Sequence, residues 1–277
     1  MDELKRKVAL VTGASRGVGR GVAQALGEAG AIVYVTGRSV RGGPTTDGLP
    51  GTIQGTAEMV SGAGGEGIAV RCDHTVDEQV EALFTRIRVE QGKLDVVVNN
   101  AWGGYERYSG ETFDAPFWEQ PLWRWKGMFD AGLRAAYTVS RLAAPMLIER
   151  RRGLIVNISF GDRGKYLGTV VYDVSKHAVD RLAVGMAFEL RDYGVTALSL
   201  YPGYVRTERV LEHYDVKMDA TQSPLYTGRA VVALAADPWV IYKSGMAFSV
   251  SELAEEYGFT DIDGRRPRPC RLEQMGS

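Results

Sequence analysis

A serine, a tyrosine thirteen positions later and a lysine four positions beyond that stand in the stretch Ser159–Lys176, SFGDRGKYLGTVVYDVSK. The last gap has a physical consequence. On a helix, Tyr172 and Lys176 lie one turn apart on the same face, so an ammonium can sit beneath a phenol. A phenol titrates near about pH 10 and exchanges protons poorly at neutrality. A neighbouring positive charge favours the phenolate and brings the group toward the working range. Ser159 follows the apolar run Leu154, Ile155, Val156, Asn157, Ile158, which reads as a buried strand. Its hydroxyl would stand at a strand's carboxyl end, where open α/β sheets bind their ligands. Alone, a tyrosine and a lysine four apart occur on many surface helices by chance. A serine ending a buried strand upstream, and a glycine-rich turn near the start of the chain, give the set its meaning.

The elements that would position these residues alternate along the whole chain. Residues 7–12 (KVALVT) are almost wholly apolar, as a strand buried on both faces should be. Gly13, Gly17 and Gly19 follow in GASRGVG, then a helical pattern through Val22, Ala25, Leu26 and Ala29 that Gly30 closes. Ala31–Thr36 is the next strand. Strand, glycine turn, helix, strand is a nucleotide-binding unit, whose glycines let the backbone approach a pyrophosphate at a helix N-terminus. The spacing is G-x-x-x-G-x-G rather than G-x-G-x-x-G. An acid near the end of the second strand would grip a ribose 2′-hydroxyl, whereas an arginine accommodates a 2′-phosphate. No Asp or Glu lies from Val33 to Val40, while Arg38 and Arg16 are both available, which points to NADP(H).

Further on, residues 41–55 are too rich in Gly and Pro for a regular element and precede a helix expected from about Thr56. Gly67–Cys72 and Leu94–Val98 read as strands three and four, with a helical pattern at 76–91 between them. Residues 102–125 crowd together Trp102, Tyr105, Tyr108, Phe113, Phe117, Trp118, Trp123 and Trp125. This insert is either a satellite core under a long loop or an apolar wall for a bulky substrate. A long helical pattern from about Leu122 to Arg152 leads to the strand before Ser159. The Tyr172–Lys176 helix runs to about Tyr193, and Val195–Tyr201 is a sixth strand that Pro202 and Gly203 break. Polar residues 208–224 suit a flap over the cleft, within a region of about 204–226. Tyr226–Ala236 is a helix and Met246–Val250 a last strand. The alternation argues for one doubly wound domain over 1–277.

Composition narrows the class. The chain has 277 residues, 45% hydrophobic and 24% charged, with a net charge of −1, which gives no reason to expect nucleic acid or an anionic membrane as partner. Cys72 and Cys270 are the only cysteines and His74, His177 and His213 are scattered singly, so no metal site is expected. The three histidines read as ordinary polar residues. No apolar run approaches a membrane span, and the start MDELKRKVALVTG lacks a signal peptide's apolar core. The expectation is a cytoplasmic protein.

These motifs, in this order, resemble the short-chain dehydrogenase/reductase family over roughly residues 5–250. TGASRGVG at 12–19 is similar to its cofactor turn, Asp73 to its adenine-binding acid, and Asn99, Asn100 and Ala101 to the start of NNAG. Ser159, Tyr172 and Lys176 match its catalytic set, and Pro202, Gly203 and Thr207 the PG motif that holds a nicotinamide carboxamide. The tail SELAEEYGFTDIDGR and the LPGT stretch resemble the dehydrogenase/reductase member 1 type. The resemblance implies a Rossmann-like seven-stranded parallel sheet of order 3-2-1-4-5-6-7 flanked by helices. It implies Tyr172 as general acid in reduction and base in oxidation, Lys176 on the nicotinamide ribose, and Ser159 on the substrate carbonyl. Implied cofactor-binding residues are Gly13, Ser15, Arg16, Gly17, Val18, Gly19, Arg38, Asp73, Asn100, Ala101, Pro202, Gly203, Val205 and Thr207, with Tyr172 and Lys176.

Partners implied are a small carbonyl or alcohol substrate and a second copy of the chain. A homodimer or homotetramer would pack the helices around 122–150 and around Tyr172, where Ala178, Ala183, Gly185 and Ala187 would permit close approach. Two residues depart from the family pattern. Gly132, in DAGL, stands where an asparagine helps hold a relay water, and either leaves room for an extra water or impairs the relay. Trp102 stands at the glycine of NNAG and would crowd or line the nicotinamide pocket. A catalytically impaired NADP-binding regulator or scaffold is therefore the alternative to an active carbonyl reductase. An enoyl reductase fits less well, because that branch spaces its tyrosine and lysine more widely.

Overall fold

The computed structural model describes residues 3–107, 113–162, 164–213, 215 and 221–269. Tyr108 and Cys270, and part of the expected flap at 204–226, lie outside them. Seven parallel strands form one sheet: β1 (Val8–Val11), β2 (Ile32–Gly37), β3 (Glu66–Arg71), β4 (Val96–Asn99), β5 (Gly153–Ile158), β6 (Val195–Tyr201) and β7 (Ala247–Ser249). Their order is β3-β2-β1-β4-β5-β6-β7, as the family resemblance implied. The switch of direction between β1 and β4 opens a crevice at the carboxyl ends of those strands.

Strand periodicity explains the two cores. Side chains alternate across a strand, so Ala9 and Val11 of β1 face one layer and Val8 and Leu10 the other. The first layer holds helices α1 (Gly17–Glu28) and α2 (Ile53–Gly62), the second α3 (Asp77–Gln91). Val22 and Leu26 of α1 are fully buried, each worth about 1.5–3 kcal/mol against exposure. α2 starts three residues earlier than Thr56, because the Thr52 side chain caps it by accepting from Gly55 N–H at 3.1 Å.

The long helical pattern from Leu122 resolves into α4 (Leu122–Met128), a π-helical segment (Phe129–Arg134) and α5 (Ala135–Glu149). α6 (Val170–Leu190) carries Tyr172 and Lys176 and is capped by Thr169, whose hydroxyl accepts from Tyr172 N–H. α7 (Glu208–His213), α8 (Pro224–Ala236) and α9 (Val250–Tyr257) complete the chain. On α6 the small residues do not share one outer face: Ala183 and Ala187 are buried against the chain's own sheet, whereas Gly185 is exposed. The large apolar side chains that this helix exposes are Val170, Val174, Val184 and Phe188. Among the described residues no helix is long and apolar enough to cross a membrane, and no cluster of His, Cys, Asp and Glu could hold a metal.

Candidate functional site

The glycine turn is fastened to the end of β4 by short polar side chains. Thr12 Oγ1 accepts from the N–H groups of Asn100 (2.9 Å) and Ala101 (3.0 Å), and Asn100 Nδ2 donates to the carbonyls of Thr12 and Gly13. The fit leaves no space for a side chain. Gly13 has φ +63°, and a Cβ there would lie 2.8 Å from Ala101 Cα; one on Gly19 would lie 2.4 Å from Asn100 Nδ2. Gly19 and Asn100 therefore shape the turn from behind, while Gly17 opens α1 at the crevice. Gly17 N–H donates to Glu208 Oε2 at 2.8 Å, and Arg20 pairs with the same carboxylate. A helix N-terminus offers directed N–H groups and a favourable dipole to anions. Here it already holds one, the Glu208 carboxylate.

Beyond the turn lies a cluster of cations, each with a counter-charge or acceptor supplied by a loop. Arg38, just after β2, pairs with Glu106 and reaches Thr46. Asp47 pairs with Arg209 and accepts from Arg107 N–H. The stretch 41–55 is thus tied down over this end of the crevice. Arg16 takes the part of a tether: its guanidinium donates to the carbonyls of Pro50, Leu49 and Gly51 and to Ser39 Oγ. Burial holds its pKa below the ordinary guanidinium value, against the pull of Glu208.

Asp73 accepts from the backbone and hydroxyl of Thr75. Burial works against its ionisation, but those hydrogen bonds and the nearby Arg38 keep its carboxyl below the usual range. His74 is buried in the cleft wall beside Thr36 (2.8 Å), and burial lowers its pKa to about 4, against the opposing charge of Asp73. Sequence reasoning missed Glu106, Glu208 and Arg209. The charged run directly after the PG motif was the only signal for the last two.

At the other end stand the three residues of the Ser–Tyr–Lys set. Ser159, just past β5, is buried and donates to the Lys176 carbonyl at 3.2 Å. Lys176 Nζ lies 3.7 Å from the centroid of the Trp102 ring and 5.6 Å from that of Tyr172. The ammonium is therefore nearer an indole than the phenol that the helical spacing pointed to. Burial brings Lys176 down to about 8, with Asp180 opposing. Four rings surround Tyr172: Trp102 at 6.0 Å and perpendicular, then Phe113, Tyr105 and Phe160 out to 6.5 Å. The aromatic insert thus divides. Trp102, Tyr105 and Phe113 wall Tyr172, Trp123 packs against the guanidinium groups of Arg107 and Arg124, and Phe117 and Trp118 are exposed.

The two departures from the family pattern meet in space. A Cβ on Gly132, inside the π-helical segment, would lie 2.7 Å from Trp102 Cε3, and one on Gly104 would lie 2.8 Å from Cε2. The space that the glycine opens at its Cβ position is taken by the indole. The buried Trp102 Nε1–H has no hydrogen-bond partner among the described residues.

Gly13, Ser15, Arg16, Gly17 and Val18 line one cleft with Arg38 and Asp73; so do Asn100, Ala101, Lys176 and Thr207. Its volume of about 310 Å³ is within the range of ligand sites. Gly19, Pro202, Gly203, Val205, Ser159 and Tyr172 are not among the residues lining it. Val205 bridges to Gln222, and a Cβ on Gly203 would lie 3.0 Å from Gln222 Oε1, so the PG loop is braced by 221–223. A cleft of similar size, lined by Lys7, Asp95 and Arg152 among others, lies at the amino ends of the strands, away from all these residues.

The chain matches the family model described as short chain dehydrogenase over residues 7–215. It is 38% identical to mouse Dehydrogenase/reductase SDR family member 1, across 95% of this chain and 85% of that one. It is 30% identical to the 3-oxoacyl-[acyl-carrier-protein] reductase FabG of Vibrio harveyi, across 90% and 97%. Among solved structures, a metagenomic short-chain oxidoreductase in complex with NADP superposes with a TM-score of 0.65 at 27% identity, covering 85% of this chain and 92% of that one.

Proposed function

The chain belongs to the short-chain dehydrogenase/reductase family of oxidoreductases and resembles its member 1 type, and from that premise we propose that it moves hydride between NADP(H) and a bulky, apolar carbonyl or alcohol. The observation that carries the reading is the reaction end. A phenol and an ammonium stand one helical turn apart inside an aromatic wall, and Lys176 also lines the cleft beside the glycine turn.

In this reading the glycine turn 13–19 binds the pyrophosphate side of the cofactor, Arg38 the 2′-phosphate and Asp73 the adenine. Asn100, Ala101, Pro202, Gly203, Val205 and Thr207 frame the nicotinamide. The bound cofactor supplies or accepts the hydride. Ser159 turns its hydroxyl to the substrate oxygen and aligns it. Tyr172 gives that oxygen a proton in reduction and takes it back in oxidation, and Lys176 binds the ribose hydroxyls and favours the phenolate. The insert 102–125 and the flap 204–226 shape the substrate space. An assembly of two or four copies would cover Val174, Val184 and Phe188 of α6; light scattering at micromolar concentration checks this, and a monomer there sinks it.

The impaired-scaffold reading draws on one observation, the indole packed over the ammonium beside Gly132. NADPH consumption with a panel of ketones, aldehydes, quinones and enones separates the two. Turnover of apolar ketones or aldehydes supports the reductase. Firm NADPH binding without turnover of any of them supports the scaffold.

A further inference from the structure

We propose that Trp102 is a positioning residue of the proton-transfer pair: its ring face holds the Lys176 ammonium under Tyr172, and Gly132 and Gly104 are glycines because they seat that ring. The proposal rests on the reading of Tyr172 and Lys176 given above. Three geometric observations carry it. The ammonium is 3.7 Å from the indole centroid, well inside the roughly 6 Å reach of a cation–π contact. The same indole stands edge-on to Tyr172, with ring centroids 6.0 Å apart at 90°. Lys176 and Tyr172 are thus both referenced to one rigid plane.

The plane is itself held on two edges. Any Cβ on Gly132 would press on Cε3 and Cζ3, and any Cβ on Gly104 on Cε2 and Cζ2. The π-helical turn at Phe129–Arg134 brings Gly132 into that position. A bulge of this kind within a helix commonly marks a functional position. A lysine chain ending in solvent would sample many rotamers. Here its end meets a wide, negative ring face packed against Gly132 and Gly104.

Three titratable or polar groups among the described residues bear on Lys176. Asp180, on the same helix, favours the charged form, and its carboxylate accepts from Tyr201 Oη of β6. Ser159, just past β5, donates to the lysine's backbone carbonyl. Tyr172 is a further titratable neighbour.

The test compares Trp102→Leu, which keeps an apolar side chain without a ring face, with Trp102→Phe, which keeps the face. In Trp102→Leu the ammonium loses its ring, so Lys176 gives up its proton at lower pH. The alkaline limb of the kcat profile should move down by about one pH unit, and kcat should fall at least tenfold. Trp102→Phe should return most of the rate and restore the limb. Without substrate or cofactor, indole emission should titrate with the lysine in the unsubstituted protein and lose that step in Lys176→Met. A Trp102→Leu protein with the original limb and rate overturns the proposal, as does an emission profile that Lys176→Met leaves unchanged; the second comparison decides if Trp102→Leu fails to fold. Tyr172→Phe is run alongside. Full activity there sinks the functional reading, whereas an inactive Tyr172→Phe beside an unaffected Trp102→Leu sinks only the role of the indole.

Discussion

The two ends of the cleft are built on different principles. At the phosphate end, Arg38, Arg209 and the N-terminus of α1 each face a carboxylate: Glu106 and Asp47 from loops and Glu208 from the first turn of α7. These contacts are polar and partly open to solvent, with Arg38–Glu106 the most exposed, and a phosphate competes with the carboxylates for the same cations and N–H groups. At the reaction end, Trp102, Gly132, Gly104 and Lys176 fit by shape, at distances that leave no slack. Charge tolerates exchange because Coulomb attraction varies slowly with distance. Packing does not, because repulsion rises steeply once atoms touch. Substitutions should therefore act gradedly at the first end and abruptly at the second.

The largest expected effect is at the reaction end. Tyr172→Phe keeps the ring that the four surrounding aromatics contact but removes the proton. Turnover should fall by roughly 10²–10⁴-fold, the usual share of general acid–base catalysis, with NADPH affinity little changed. Full activity on a good carbonyl substrate would remove Tyr172 from its assigned role.

Next comes Gly132→Asn, which drives a side chain into Trp102. Overpacking of this kind costs about 1–3 kcal/mol, read as a lowered midpoint in thermal or urea unfolding. Adding Trp102→Gly should recover a good part of that loss, since contacting sites are not additive. Additive losses would mean that the two departures from the family pattern are unrelated.

At the phosphate end, Arg38→Ala should weaken NADPH by about 1.5–3 kcal/mol, the worth of a hydrogen bond to a charged group. NADH, which has no 2′-phosphate, should be nearly unaffected. Equal weakening of both would show that Arg38 does not read the phosphate. The smallest effect belongs to Glu208→Gln. It removes the charge competing for α1's N-terminus, so titration calorimetry should give NADPH binding tighter by about 0.3–1 kcal/mol. Weaker binding would mean that the carboxylate organises the turn instead of occupying it.

Much of this was legible in the residues because it is local or periodic. Apolar strands, helical spacing and the run GASRGVG gave the seven strands and their alternation with helices, with boundaries shifted by a few residues where caps such as Thr52 intervene. The Ser159, Tyr172 and Lys176 set could be placed because a helical turn converts a four-residue gap into a shared face. Which small residues of α6 face outward was not legible for a related reason. Periodicity marks a face, but only the packed neighbours decide which face is inside, and Ala183 and Ala187 turned inward.

The sequence by itself determined the doubly wound class, the glycine turn and the order of the motifs, all of which follow from short-range spacing and from which side chains must leave water. Only the tertiary structure decided that Trp102 fills the place beside Gly132, that Glu208 closes on Gly17 from 191 positions away, and that Arg38 meets Glu106 across 68. Those partners are far apart in the chain, and no local pattern specifies them. They are chosen by the order in which strands join the sheet and by how the loops at the strands' carboxyl ends converge on one crevice.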